Sequence, residues 1–124
     1  MNTQPVYDLT MAEIHHTKKL DAPSGTAITL ANDIISLVNR KKQWVNTVMP
    51  AVDVPYTPEQ LLISSERVGE VPGTHTITYQ SDVDSIEIKH TAHSRTGFAL
   101  GAIMAAEWII GKKGIFGMSD MLQF

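Results

Sequence analysis

The segment Glu13-Ile14-His15-His16-Thr17-Lys18-Lys19-Leu20-Asp21-Ala22-Pro23-Ser24-Gly25-Thr26-Ala27 places two imidazoles and two ammonium groups in five consecutive positions, shortly before a predicted helix start. Histidine is the side chain best suited to exchange a proton near neutral pH. A neighbouring lysine supplies a cation and, by like-charge repulsion, keeps more of the imidazole neutral. The amides of Gly25 and Thr26 would open the helix, where backbone N–H groups lack intrahelical acceptors and the macrodipole is positive. Glycine also lets a ligand approach the backbone. Together these features describe an anion site, suited to a carboxylate, beside a proton donor.

Several plainer readings compete. A His-His pair at a strand end is more often a surface or core feature than a catalytic one. On a continuing strand His15 and His16 point to opposite faces, and no third ligand stands at diagnostic spacing, so a metal site is disfavoured. Ser24 stands directly before the helix and is read as its N-cap; no Gly-x-Ser-x-Gly elbow surrounds it to suggest a nucleophile. His75, His90 and His93 lack comparable surroundings, and core or interface packing is the expectation for them.

These residues need elements to hold them. From Tyr7 to His16 a partly alternating pattern predicts a strand that ends at the histidines. Ser24 then caps a helix over Gly25–Arg40, with Ile28, Ala31, Ile34, Ile35 and Val38 on its apolar face. Lys41 to Pro58 contains Pro50, Pro55 and Pro58 and reads as a long surface connection with a short strand near Val45–Val48. Three strands are expected at Leu61–Val71, Thr74–Gln80 and Ser85–Ala92, split by Pro72-Gly73 and Ser81-Asp82-Val83-Asp84, as an antiparallel meander. In the last of them Ile86, Ile88, His90 and Ala92 share one face, expected to cover helices. A second helix, apolar all round, is predicted over Arg95–Ile110, ending at Gly111 and needing cover on several sides. The tail Ile115–Phe124 is apolar enough to predict docking.

Bulk properties set the frame. A chain of 124 residues, 43% hydrophobic and 19% charged, predicts one soluble domain spanning 1–124 with a core of its own. A formal charge of −3 argues against nucleic-acid partners, and no apolar run suggests a membrane span or a secretory signal. The absence of cysteine fits a reducing compartment, and the cytoplasm is the expectation.

The string Glu13-x-His15-His16-x-x-Lys19-x-Asp21-Ala22-Pro23-Ser24-Gly25-Thr26-Ala27 resembles the signature segment of bacterial dihydrodipicolinate reductases. Further matches follow in order: Arg67-Val68-Gly69-Glu70-Val71-Pro72-Gly73-Thr74-His75, Ile86-Glu87-Ile88-x-His90-x-Ala92, Arg95-x-x-Phe98-Ala99-x-Gly101-Ala102 and Met118-Ser119-Asp120-Met121-Leu122. The resemblance covers nearly the whole chain. It implies an α+β domain: a mixed, largely antiparallel sheet of four strands or slightly more with two long helices on one face, like the C-terminal domain of glyceraldehyde-3-phosphate dehydrogenase. It also implies an oxidoreductase of diaminopimelate and lysine biosynthesis that reduces 4-hydroxytetrahydrodipicolinate, or its dehydrated form, with NADPH or NADH.

Under the resemblance His15 is a proton donor and acceptor and Lys19 a proton donor. His16, Ser24, Gly25 and Thr26 would hold a substrate carboxylate. Partners implied are a small dicarboxylate, a homotetramer built through the sheet and an N-terminal dinucleotide-binding domain. No Gly-x-Gly-x-x-Gly turn follows a strand here, so no Rossmann domain, no cofactor-binding residue and no bound cofactor are expected in this chain, which alone should be inactive. A metal is not expected either. Two readings from other classes stay open at this point: an anion-sensing or oligomerisation module, and metal-dependent hydrolysis through the histidines.

Overall fold

Alternation in the first strand sets up the domain. The computed structural model describes residues 1–50 and 54–123, so positions 51–53 of the predicted Lys41–Pro58 connection and Phe124 of the tail lie outside the described residues. In chain order the elements are β1 (Asp8–His15), α1 (Gly25–Leu37), β2 (Gln43–Val48), β3 (Gln60–Arg67), β4 (Gly73–Gln80), β5 (Ser85–Ala92), α2 (Thr96–Trp108) and α3 (Met118–Leu122). Along β1, Leu9, Met11, Glu13 and His15 are buried while their neighbours are not, the period-two signature of a strand with one covered face.

The five strands form one sheet in the order β2-β3-β1-β4-β5. β1 lies in the middle, parallel to β3 and antiparallel to β4. β2 is parallel to β3, and β5 antiparallel to β4. The sheet is therefore mixed, as expected, but evenly so rather than mostly antiparallel. The expected meander is half present: β4 and β5 make a hairpin, while β1 sits between β3 and β4. The turn residues correctly mark a chain reversal after β3, but the connection over positions 68–72 is long enough to straddle the end of a third strand, and it does so at His15. Its backbone is tied there by Val68 N–H to His15 O (2.8 Å) and Thr17 N–H to Gly69 O (3.0 Å).

α1 covers one face of this sheet. Ser24 caps it, its Oγ accepting from the Ala27 amide at 3.2 Å. Ala27, Ala31 and Ile34 of α1 and the following Val38 bury against Leu9, Met11, Leu61 and Ile63, with Leu30, Trp44, Ile77 and Tyr79 packed at the rim. Fully burying one such aliphatic side chain contributes about 1.5–3 kcal/mol, so this cluster is the main source of cohesion. The helix stops at Leu37, short of the predicted Arg40, because the backbone turns extended at Val38. The predicted surface connection instead begins with a buried residue: Lys41 Nζ donates to Asp8 Oδ1 at 2.6 Å and to Gln60 O at 2.8 Å.

β5 is one of the two edge strands, paired with β4 alone. Ile86 and Ile88 are exposed, as is His90. The chain forms two compact units, Met1–His93 and Ser94–Phe124. In the second, α2 is followed by a turn and α3, with Trp108 and Phe116 in an edge-to-face contact at 5.3 Å and Lys112 Nζ 4.4 Å from the Trp108 ring centre. Phe98, Leu100, Ile103 and Met104 of α2 are all more than half exposed in this chain. No helix among the described residues is long and apolar enough to cross a membrane.

The centre of the core is Ile63, fully buried on β3. Ile63→Ala is expected to lower unfolding free energy by about 2–5 kcal/mol in urea denaturation, while Val83→Ala on the exposed hairpin turn stays within about 0.5 kcal/mol.

Candidate functional site

A charged residue on a core-facing stripe must find partners, because a desolvated carboxylate left alone is strongly unfavourable. Glu13 is such a residue, 1% exposed in line with Leu9 and Met11. Strand register supplies part of the answer. Glu13 stands opposite Ser65 on β3 and opposite His75 on β4, so three polar side chains meet in one row across the sheet. Ser65 Oγ donates to Oε1 at 2.9 Å. The Ser24 amide, at the mouth of α1, donates to both carboxylate oxygens at 3.1 and 3.0 Å. Arg67 Nη2 lies 3.4 Å from Oε1, and the Nε2 atoms of His15 and His75 lie 3.5 and 3.7 Å from Oε2.

Burial pushes the Glu13 pKa up, but the His75 imidazole, the Ser24 and Ser65 hydroxyls and the Ser24 amide reverse this and hold the carboxyl well below its ordinary 4.5. Glu13 is an anion at any physiological pH. For His15 burial dominates and lowers the pKa; Glu13 opposes that, while His75, Lys19 and Arg67 add to it. A neutral imidazole is therefore favoured at neutral pH.

The loop after β1 carries the remaining candidates. Lys19 Nζ is paired with Asp21 through both carboxylate oxygens at 2.7 Å, and this pairing depresses the Asp21 pKa. Arg67 braces the same loop, donating from Nη2 to Asp21 O at 2.7 Å and from Nε to Lys19 O at 3.4 Å. His16 is half-buried, with an Nδ1 that has no hydrogen-bond partner among the described residues. Gly25 and Thr26 are exposed, and a side chain added at Gly25 would meet nothing within 4 Å. Gly73 is the opposite case: a Cβ there would stand 3.1 Å from Cε1 of His15, so the β4 backbone forms one wall of the imidazole's slot.

The structure thus brings His15 and Ser24 together through His75, whose Nε2 lies 3.4 Å from His15 Nε2 and 3.1 Å from Ser24 Oγ. Lys19 is held beside Asp21 in the adjoining loop. Sequence reasoning missed His75, which was expected to be a packing residue, and gave no role to Glu13, Ser65 or Arg67. The usable signal was a carboxylate in register with the apolar stripe of β1. Glu13, His15 and His75 each bring a polar atom within 4.8 Å of the others, close enough to raise the question of a metal ion. The carboxylate is already satisfied by Ser24 and Ser65 and faced by the Arg67 cation, which argues for a hydrogen-bonded cluster instead.

An α+β domain with a mixed sheet, one covering helix and a buried carboxylate–imidazole cluster at the helix mouth is the class that fold and site define. Residues 1–122 match the family described as dihydrodipicolinate reductase, C-terminus, and the chain belongs to that family. It is 49% identical over 116 residues to the 4-hydroxy-tetrahydrodipicolinate reductase of Christiangramia forsetii, covering 94% of this chain and 46% of that protein. The reductase of Methanosarcina mazei is 40% identical over 117 residues, covering 94% of this chain and 43% of its own length. The chain thus spans less than half the length of these curated relatives. Among solved structures, the dipicolinate-bound dihydrodipicolinate reductase of Paenisporosarcina sp. TG-14 superposes with a TM-score of 0.66 at 20% identity, covering 96% of this chain and 46% of that one, a likeness of fold.

The Glu13 interactions make a pH prediction. Unfolded, Glu13 ionises near the ordinary 4.5; folded, its pKa is depressed, so its contribution to stability is fully present above about 4.5 and is lost as pH falls toward the folded value. Glu13→Gln is expected to flatten this acid limb when urea midpoints are compared as pH falls below about 4.5, and to destabilise the chain at neutral pH. An acid limb as steep in the variant as in the parent assigns the dependence to other carboxylates.

Proposed function

We propose that this chain is the substrate-binding domain of an NADPH- or NADH-dependent 4-hydroxy-tetrahydrodipicolinate reductase, an oxidoreductase of diaminopimelate and lysine biosynthesis in the cytoplasm. His15 serves as proton donor and acceptor and Lys19 as a second proton donor. His16, Ser24 and the amides of Gly25 and Thr26 hold a substrate carboxylate. The observation that carries the reading is the double use of Ser24. Its amide is bonded to Glu13 and its hydroxyl to His75, so the open end of α1 and the His15 imidazole are held on one frame. The family membership and the dipicolinate in the solved relative point to a planar dicarboxylate as the occupant.

A substrate carboxylate entering beside Lys19 competes with Asp21 for the ammonium, and the unsatisfied Nδ1 of His16 is a further polar partner. When bound, the nicotinamide supplies the hydride, and the density it leaves on the conjugated imine needs a positioned acid. A buried, mainly neutral His15 and a nearby Lys19 meet that need. The cofactor is assigned to a separate N-terminal dinucleotide-binding domain, in keeping with relatives more than twice as long as the matched region. The isolated chain is then inactive, and the assembled enzyme is a homotetramer joined through the sheet, for which the β5 edge offers surface.

Calorimetric titration with dipicolinate is expected to show weak binding to this chain and much tighter binding to the complete reductase. Absence of binding to both overturns the reading. Lys19→Ala and His16→Ala should each weaken binding about tenfold, ~1.4 kcal/mol. Gly25→Ala, whose methyl fits the free chain without a clash, should weaken binding with the thermal midpoint unchanged. In the complete enzyme, His15→Gln should reduce turnover by about 10²- to 10⁴-fold with KM little changed.

A further inference from the structure

Nε2 of His15 is already committed within the protein, facing Nε2 of His75 at 3.4 Å and Oε2 of Glu13 at 3.5 Å. Of the two ring nitrogens, Nδ1 is therefore the one left to meet a ligand. Two imidazole nitrogens facing each other at this distance hold one proton between them or none, since two N–H groups would point into each other. The rings lie edge to face, with centres 5.1 Å apart and planes at 70°, and both side chains are close to nine-tenths buried. Solvent is poorly placed to exchange protons with the inner nitrogens. Ser24 Oγ, 3.1 Å from Nε2 of His75 and accepting from Ala27 N, keeps its own hydrogen available for that imidazole when it is neutral.

We propose that His15 and His75 work as one proton-holding pair with Glu13 as its counter-charge, and that His75 is a positioning residue that resupplies His15 through Nε2 when His15 releases a proton at Nδ1. This rests on the reading of His15 as the proton donor. The protons balance without any further reactant. At the start His15 is neutral with its hydrogen on Nδ1, and His75 carries a hydrogen on each nitrogen. As the Nδ1 proton passes to the ligand, the shared proton moves from Nε2 of His75 to Nε2 of His15. Both rings end neutral, and the one positive charge of the pair has left with the transferred proton.

The groups facing the pair agree with this arrangement. β1 contributes the Glu13 anion, the loop after it the Lys19 cation, and β3 the Arg67 cation; α1 contributes the Ser24 hydroxyl at its cap. The Lys19 ammonium is itself paired with Asp21 of the same loop, and a second extra proton on the rings would set two imidazolium charges against the one Glu13 carboxylate. A neutral His15 could not otherwise lose a proton from Nδ1 without becoming an imidazolate, so the partner at Nε2 gives it the capacity of an acid at a pH where it carries no charge.

Long-range proton–nitrogen NMR of the imidazoles in this chain, followed through the histidine titration range, tests the pairing. Expected is one shared midpoint, the signals of His15 and His75 moving together as the pair takes up its single extra proton. His75→Gln should raise the His15 midpoint, and Glu13→Gln should lower it. Independent single-step curves for His15 and His75 in the parent chain overturn the proposal, and this holds even where a variant fails to fold. Dipicolinate added to the same samples separates the two ideas. Coupled curves with no dipicolinate binding to either this chain or the complete reductase support the pair and sink the dicarboxylate reading; binding with independent curves sinks the pair and leaves that reading intact.

Discussion

The burial of one negative charge organises the functional half of this molecule. Glu13 sits where an apolar residue would be expected, and its carboxylate is stable there because four elements converge on it. The Ser24 amide comes from the mouth of α1, Ser65 and Arg67 from β3, and the two imidazoles from β1 and β4. Removing one partner of such a cluster leaves the others desolvated and unpaired, which costs far more than the net value of any one hydrogen bond. The path of the chain around β1 follows from the same need. α1 begins where it can present an amide to the carboxylate, and the connection after β3 crosses the end of β1 where it can close over His15.

Much of the molecule was legible in residue order. The strand before the histidines, the cap at Ser24 and the start of α1 rest on local chemistry that no distant contact overrides. The helix end and the strand order were less legible. Pro72-Gly73 reports that the chain turns but not which strand lies between the two arms, since inserting β1 between β3 and β4 is a decision of the whole sheet. Lys41 illustrates another blind spot. Its neighbours read as surface, yet Asp8, far away in sequence, satisfies its ammonium in the interior. β5 has the alternating pattern that predicts a strand, and the hairpin with β4 bears that out.

The site was legible in part for a similar reason. His15, His16, Lys19 and the Ser24-Gly25-Thr26 turn are contiguous, so their chemistry could be weighed together. His75 enters only through cross-strand register, opposite Glu13. Nothing within ten residues of His75 distinguishes it from His90 on the next strand, which is exposed. A partner that acts through register is invisible to motif reasoning unless its counterpart is recognised first, and the counterpart was the carboxylate in the apolar stripe.

The row Ser65–Glu13–His75 also bears on how the chain finds its fold. It requires a parallel pairing on one side of β1 and an antiparallel pairing on the other, each in a single alignment. A slip of one residue on either side would turn a polar partner to the opposite face and strand the anion among hydrocarbon. Apolar cores tolerate near-miss alignments, because one aliphatic contact resembles another. A buried ion does not. The same carboxylate that prepares the imidazoles therefore acts as a proofreading device, penalising misaligned sheets and confining the collapsed chain to the one arrangement in which the histidines are correctly placed.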